Sequence, residues 1–294
     1  MGQIFQWKRF WCPKGQVPML DEDGYLADPE AHLTDLFFPR DYKSNARAWG
    51  EIEELPCLVL SGELGIGKST TVEMEVGQQA PISNQPRRSL HLRRDLSWIA
   101  DWNQLKQDVF ESTEFRAWSS GEKPLTLLLD EYDECLTRVS TLGEGIVSEL
   151  RKHCQAGRPL AKRGLKLRIV CRSGHCRSSL EEDLQHLFGK ENVGMFSLAP
   201  LRRCDVEQAA KESGHDPDAF LAAVAQVGCQ PLASRPVTLG MLLKTYRSGG
   251  FPEHTRSGLY RVCLLGLCDE VVARRKERAQ WKLQPALRLL VAGR

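Results

Sequence analysis

Gly62-Glu63-Leu64-Gly65-Ile66-Gly67-Lys68-Ser69 fits G-x-x-x-x-G-K-[ST], the pattern of a phosphate-binding loop. The preceding run, Cys57-Leu58-Val59-Leu60, is short, apolar and bounded by Pro56 and Gly62, which reads as a buried strand. The run from Thr70 to Val76 suits a helix. Strand, glycine loop and helix are the setting the pattern requires. Glycines let backbone N–H groups turn inward around phosphate oxygens, and a helix N-terminus adds the positive end of its dipole. In such a loop Lys68 reaches the β- and γ-phosphates, and the Ser69 hydroxyl is a Mg²⁺ ligand. The alternative, a glycine turn with a solvated lysine, leaves a second stretch unexplained.

That stretch is Leu125-Thr126-Leu127-Leu128-Leu129-Asp130-Glu131-Tyr132-Asp133-Glu134. An apolar strand ends in four acids within five positions. Like charges this close are costly unless a cation offsets them or some face solvent. Asp130 is the expected second Mg²⁺ contact, on a strand expected to lie beside the phosphate-loop strand. Glu131 adjoins it and is the first candidate for orienting an attacking water, with Asp133 and Glu134 next.

Other strands are read at Ser89–Leu92, Leu165–Cys171 and Met195–Leu198, and helices at 101–112, 141–153 and 206–212, the last capped by Asp205. Strands alternating with helices imply a three-layer α/β fold with a parallel sheet. Arg172 follows the strand 165–171, at the edge where such sheets bind ligands. It is a candidate γ-phosphate sensor, or else the partner of Glu181, Glu182 and Asp183. From Asp216 onward apolar residues recur at helical spacing (Phe220, Leu221, Val224, Val227; Leu239, Leu242, Leu243, Tyr246; Leu259, Tyr260, Cys263, Leu264, Leu267), which predicts a small all-helical domain.

The expected organisation is an N-terminal extension over 1–50, a P-loop core over 51–200, a helical domain over 201–270 and a basic C-terminal helix over 271–294. The chain has 294 residues and a net charge of +2. Residues 271–294 alone carry seven Lys/Arg against Glu277, which suits a solvated helix face better than a nucleic-acid contact. The ten cysteines show no disulfide framework, and the Cys171/His175/Cys176 group lacks a second ligand pair at zinc spacing. Reduced thiols and a cytoplasmic location are expected. No apolar run approaches the length of a membrane span, and Gln6 weakens a myristoylation reading of Gly2.

The phosphate loop through Thr70, paired with Leu127–Glu134, resembles the NACHT branch of the STAND signal-transduction NTPases. Those show a hydrophobic strand, Asp, a small residue, one variable residue, then Asp-Glu. Here Asp130, Asp133 and Glu134 match, while Glu131 stands where the small residue belongs. Val170-Cys171-Arg172-Ser173, Leu198-Ala199-Pro200-Leu201 and Arg235-Pro236 are similar too, over residues 55–270. The resemblance implies ATP/ADP and Mg²⁺ as ligands, with Pro236 over the adenine. It also implies a nucleotide-dependent switch that forms a homo-oligomer in the ATP state or engages an effector protein, often in antiviral defence. The family's winged-helix domain and sensor repeats would begin where this chain ends, so a fragment or truncated form is expected. Two other readings stand beside it: an interaction module gated by nucleotide without hydrolysis, and an AAA+-like ATPase acting on DNA.

Overall fold

The computed structural model describes residues 5–30, 44–78, 89–154, 160–174, 178–246, 250–252, 255–262 and 265. Several expectations fall outside them. These are Gly2, the basic stretch 271–294, the His175/Cys176 pair, and Cys263, Leu264 and Leu267.

The described chain forms two compact units. One holds residues 8–18 and 44–199, the other 5–7, 19–30 and the described residues from 200 onward.

The larger unit is built on a seven-stranded sheet. Its elements run β1 (Phe10–Pro13), β2 (Arg47–Ala48), α1 (Trp49–Ile52), β3 (Cys57–Gly62), α2 (Lys68–Gln78), β4 (Leu90–Asp95), α3 (Trp102–Leu105), α4 (Thr113–Ser119), β5 (Leu125–Asp130), α5 (Tyr132–Leu136), α6 (Leu142–Arg151), β6 (Leu165–Arg172), α7 (Ser178–Phe188) and β7 (Val193–Leu198). The strand order is β2-β1-β7-β3-β6-β5-β4. The strands β7, β3, β6, β5 and β4 pair in parallel. β1 runs antiparallel to both β7 and β2.

One expectation is corrected here. The phosphate-loop strand β3 and the acidic strand β5 are not neighbours, because β6 pairs with both. The chain crosses outward from β3 to β4, returns through β5, and fills the gap with β6. The expected α/β fold with a parallel sheet holds over the five strands β7, β3, β6, β5 and β4, and the irregular N-terminal stretch adds β1, antiparallel to β7, with β2 beyond it. The helix expected over 101–112 spans Trp102–Phe110: Asp101 caps it, accepting from Gln104 N at 2.9 Å, and its second half, Lys106–Phe110, widens into a π-helix before Ser112 accepts from Phe115 N to cap α4.

Side chains alternate across a strand, and both faces of this sheet are covered. Val59, Leu127, Leu129, Leu167 and Ile169 pack with Leu105, Ile146 and Leu184 on one face. Leu58, Leu60, Leu128 and Val170 pack with Ile52, Ile66 and Val72 on the other. Burial on two faces explains why β3 and β5 read as continuous apolar runs rather than alternating ones.

The smaller unit contains α8 (Arg203–Glu212), α9 (Pro217–Val227), α10 (Gln230–Ala233) and α11 (Pro236–Thr245). Asp216 accepts from Ala219 N at 2.8 Å and Pro217 opens α9, while Gly228 ends it at φ +70°. That is the usual pairing of side-chain cap, early proline and terminal glycine. Asp205 does not cap α8 as expected. It lies inside the first turn and its carboxylate accepts from Arg202 N at 3.0 Å. Phe220, Val224, Leu239 and Leu242 form the core with Tyr25 and Leu259. No described helix is long and apolar enough to cross a membrane.

Candidate functional site

Parallel strands end on a common edge. Register places Gly62 of β3 opposite Arg172 of β6, and Asp95 of β4 opposite Asp130 of β5. The phosphate loop, Arg172 and the acidic strand end therefore converge, with β6 as the spacer between loop and acid.

The loop is shaped by its glycines. Gly65 and Gly67 take φ +77° and +90°, where a side chain would be strained. A Cβ on Gly62 would stand 3.0 Å from Ile66 Cγ2 and 3.1 Å from the Lys68 stem, so the strand end must stay bare for the loop to fold over it. α2 starts at Lys68 and aims its first amides at the cradle. Lys68 Nζ donates to Glu63 O at 3.1 Å, across the loop it closes. Burial lowers its pKa, and Glu131 and Asp133 act in the opposite sense.

Ser69 Oγ donates to Asp130 Oδ1 at 3.1 Å and lies 3.4 Å from Glu131 Oε1. Asp130 is 3% exposed. Burial raises its pKa, against hydrogen bonds from Ser69 and the Glu131 N–H and the charge of Arg93. Glu131 is also raised, first by burial and then by Asp130, Glu134 and Asp133. Its backbone sits at φ 55°, ψ 40°, and it is the one non-glycine residue with positive φ among those described. This conformation costs about 1–2 kcal/mol, and such strain is found where a site holds it in place.

The other two acids face elsewhere. Asp133 Oδ1 accepts from Arg172 N at 2.8 Å, its Oδ2 lies 3.2 Å from Arg172 Nε, and Glu134 Oε1 lies 2.6 Å from Arg172 Nη2. Arg172 does not pair with the acidic helix of Glu181, Glu182 and Asp183, the alternative the sequence offered. Its partners are the acidic turn, while Glu181 pairs with Lys14 and Asp183 with Arg151. The four acids divide into a pair at Ser69 and a pair at Arg172.

Two arginines at the site escaped the sequence reading. Arg93 of β4 lies 3.5 Å from Asp130 Oδ2 and also pairs with Glu73 of α2. Arg9, only 4% exposed, donates to Ile66 O of the phosphate loop at 3.0 Å and to Ala199 O at 2.7 Å. Arg93 lay one residue past the strand read at 89–92, and Arg9 lay in a stretch read as an extension. Pro236 opens α11 in the helical unit.

The donor set fits a Mg²⁺-bound polyphosphate. A hydroxyl and a carboxylate that already converge form the two-ligand type of site Mg²⁺ favours, since that ion keeps several waters. Among the described residues there is no larger cluster of metal-ligating side chains. A buried carboxylate held off its ordinary pKa is one a cation would restore to charge.

No protein-family model and no curated protein matches the sequence. Solved structures do resemble it. Domain III of the Thermotoga maritima replication initiation protein DnaA is 14% identical, over 65% of this chain and 74% of that one, with a TM-score of 0.38. The Aeropyrum pernix ORC2 protein in its ADP form is 13% identical over 71% of this chain, with a TM-score of 0.38. The A. pernix ORC1 protein in complex with DNA is 11% identical over 74% of this chain, with a TM-score of 0.40. This chain spans 62% and 60% of the ORC2 and ORC1 chains. The sheet, its glycine loop and its acidic strand end make the larger unit a P-loop NTPase fold.

Proposed function

We propose that the chain binds ATP with Mg²⁺, hydrolyses it slowly and uses the difference between ATP and ADP as a switch. The observation that carries this is Ser69 Oγ at 3.1 Å from Asp130 Oδ1, with Glu131 Oε1 at 3.4 Å. Ser69 and Asp130 hold the metal, which supplies positive charge to the phosphate oxygens when bound. Lys68 and the amides of Gly62–Thr70 hold the β- and γ-phosphates. Glu131 orients the attacking water and accepts its proton at a carboxylate oxygen; a raised pKa makes it a better base than an ordinary glutamate. Asp133 and Glu134 hold Arg172, which would act as the γ-phosphate sensor once released from them. A sensor tied up in this way suits slow turnover. Pro236 is assigned to the adenine by the NACHT resemblance, which also supplies the signalling role and the ATP-dependent assembly.

Titration calorimetry with MgATP tests the site: Lys68→Ala is expected to remove tight binding, and unchanged affinity would dismiss the reading. Light scattering with ADP and with a slowly hydrolysed ATP analogue tests the switch; the same mass in both leaves a nucleotide-binding protein that does not assemble. Asp130-Glu131, together with the basic stretch 271–294, suggests a further reading, an ATPase acting on DNA. DNA-stimulated turnover that fades steeply with salt would select it.

A further inference from the structure

We infer that Arg9 is a positioning residue of the phosphate site, setting the direction of a loop amide 57 positions away in the sequence. The inference rests on the nucleotide reading above.

The peptide that joins Ile66 to Gly67 is the link between Arg9 and the cradle. A trans peptide is planar, and its C=O and N–H point in opposite directions. Arg9 Nη1 donates to Ile66 O at 3.0 Å. That bond holds the carbonyl on the Arg9 side and turns the Gly67 N–H the other way. Gly67, at φ +90°, has no side chain to resist either orientation, so the loop itself does not fix the peptide. An outside group must do so, and Arg9 is placed to act.

Arg9 is itself rigidly held. Its Nη2 donates to Ala199 O at 2.7 Å, and Ala199 N donates to Phe10 O at 2.9 Å. The guanidinium therefore spans two carbonyls, one on the loop and one just past β7, while its own backbone continues into β1. A planar fork makes this span, and a lysine ammonium with one nitrogen does not reproduce it. The buried charge behind the peptide also reinforces the peptide dipole, whose positive end faces away from Arg9. The segment before β1 is thus part of the anion site. Displacing it frees the Ile66 carbonyl and loosens the hold on phosphate.

MgATP titrated into the full chain tests this with wild type, Lys68→Ala, Arg9→Lys and Arg9→Met, at a temperature where circular dichroism shows each variant folded. Arg9→Met is expected to weaken binding about tenfold or more, the size of one lost charge-assisted contact, and Arg9→Lys by less. A purely structural arginine would lower the melting midpoint without nucleotide and leave the dissociation constant of the folded protein unchanged; that result overturns the inference. If wild type binds and Lys68→Ala does not, only the role of Arg9 fails. If wild type itself does not bind, the nucleotide reading falls and takes this with it. Should both Arg9 variants fail to fold, hydrogen exchange on the wild type decides. MgATP is expected to slow exchange in a peptide covering residues 8–12, and no change there rejects the coupling.

Discussion

Glu134 Oε1 lies 2.6 Å from Arg172 Nη2, and this contact separates the roles of carboxylates that sequence alone only ranks. Glu134 is committed to an arginine, while Glu131 stands at the Ser69 hydroxyl. Glu131→Gln is expected to lower kcat for ATP hydrolysis about 100-fold or more, the usual worth of a general base, with nucleotide affinity retained. Glu134→Gln is expected to lower it less, through Arg172. Phosphate release measured under saturating ATP distinguishes them, and the reverse order would move the base to Glu134.

Asp130 carries a pH signature. Burial raises its pKa in the folded chain, so the native state keeps a proton that the unfolded chain releases earlier. Stability then falls as pH rises from the ordinary carboxylate value through the raised one. Asp130→Asn removes this contribution. Relative to wild type, the variant is expected to gain on the order of 1 kcal/mol at pH 7 and nothing at pH 3, by urea denaturation without nucleotide. It should also lose Mg²⁺-dependent ATP binding. A variant less stable than wild type at pH 7 contradicts the account.

Gly145 of α6 is a contact glycine. A Cβ there would meet the Trp102 ring at 2.4–2.8 Å, so α3 and α6 approach as closely as they do only because position 145 is bare. Gly145→Ala is expected to cost about 1–3 kcal/mol through overpacking, despite the better helix propensity of alanine. Urea midpoints measure it; a gain in stability would mean that the Trp102 ring moves aside without cost.

Arg168 is a buried charge on β6 at the opposite end of the sheet from the site. It is 2% exposed, donates to Glu53 O at 2.6 Å and Leu55 O at 2.8 Å, and burial brings its pKa down to about 10. Arg168→Met leaves those carbonyls without this donor and is expected to destabilise by about 2–4 kcal/mol, with little change in ATP affinity once folded. Chemical denaturation and calorimetry together check both halves.

The phosphate loop and acidic strand were legible because their signals are local. Glycine spacing, a bounding proline and an apolar run ending in acid all fall within about ten residues. The order of strands was not, since crossover connections leave no mark on the strands they join, and so β6 went unnoticed between β3 and β5. The partners of Arg172 lie 38 and 39 positions back, and a nearer acidic helix offered a plausible decoy. β1 was hidden because four residues, FWCP, are too few to show alternation. Arg9 was hidden with it.

The interleaving of the two units has a consequence for inheritance. The chain changes unit after residues 7, 18 and 199, and once more between 30 and 44. No single breakpoint in a gene lifts out either unit whole. A recombination event that moves either unit intact must carry the other with it.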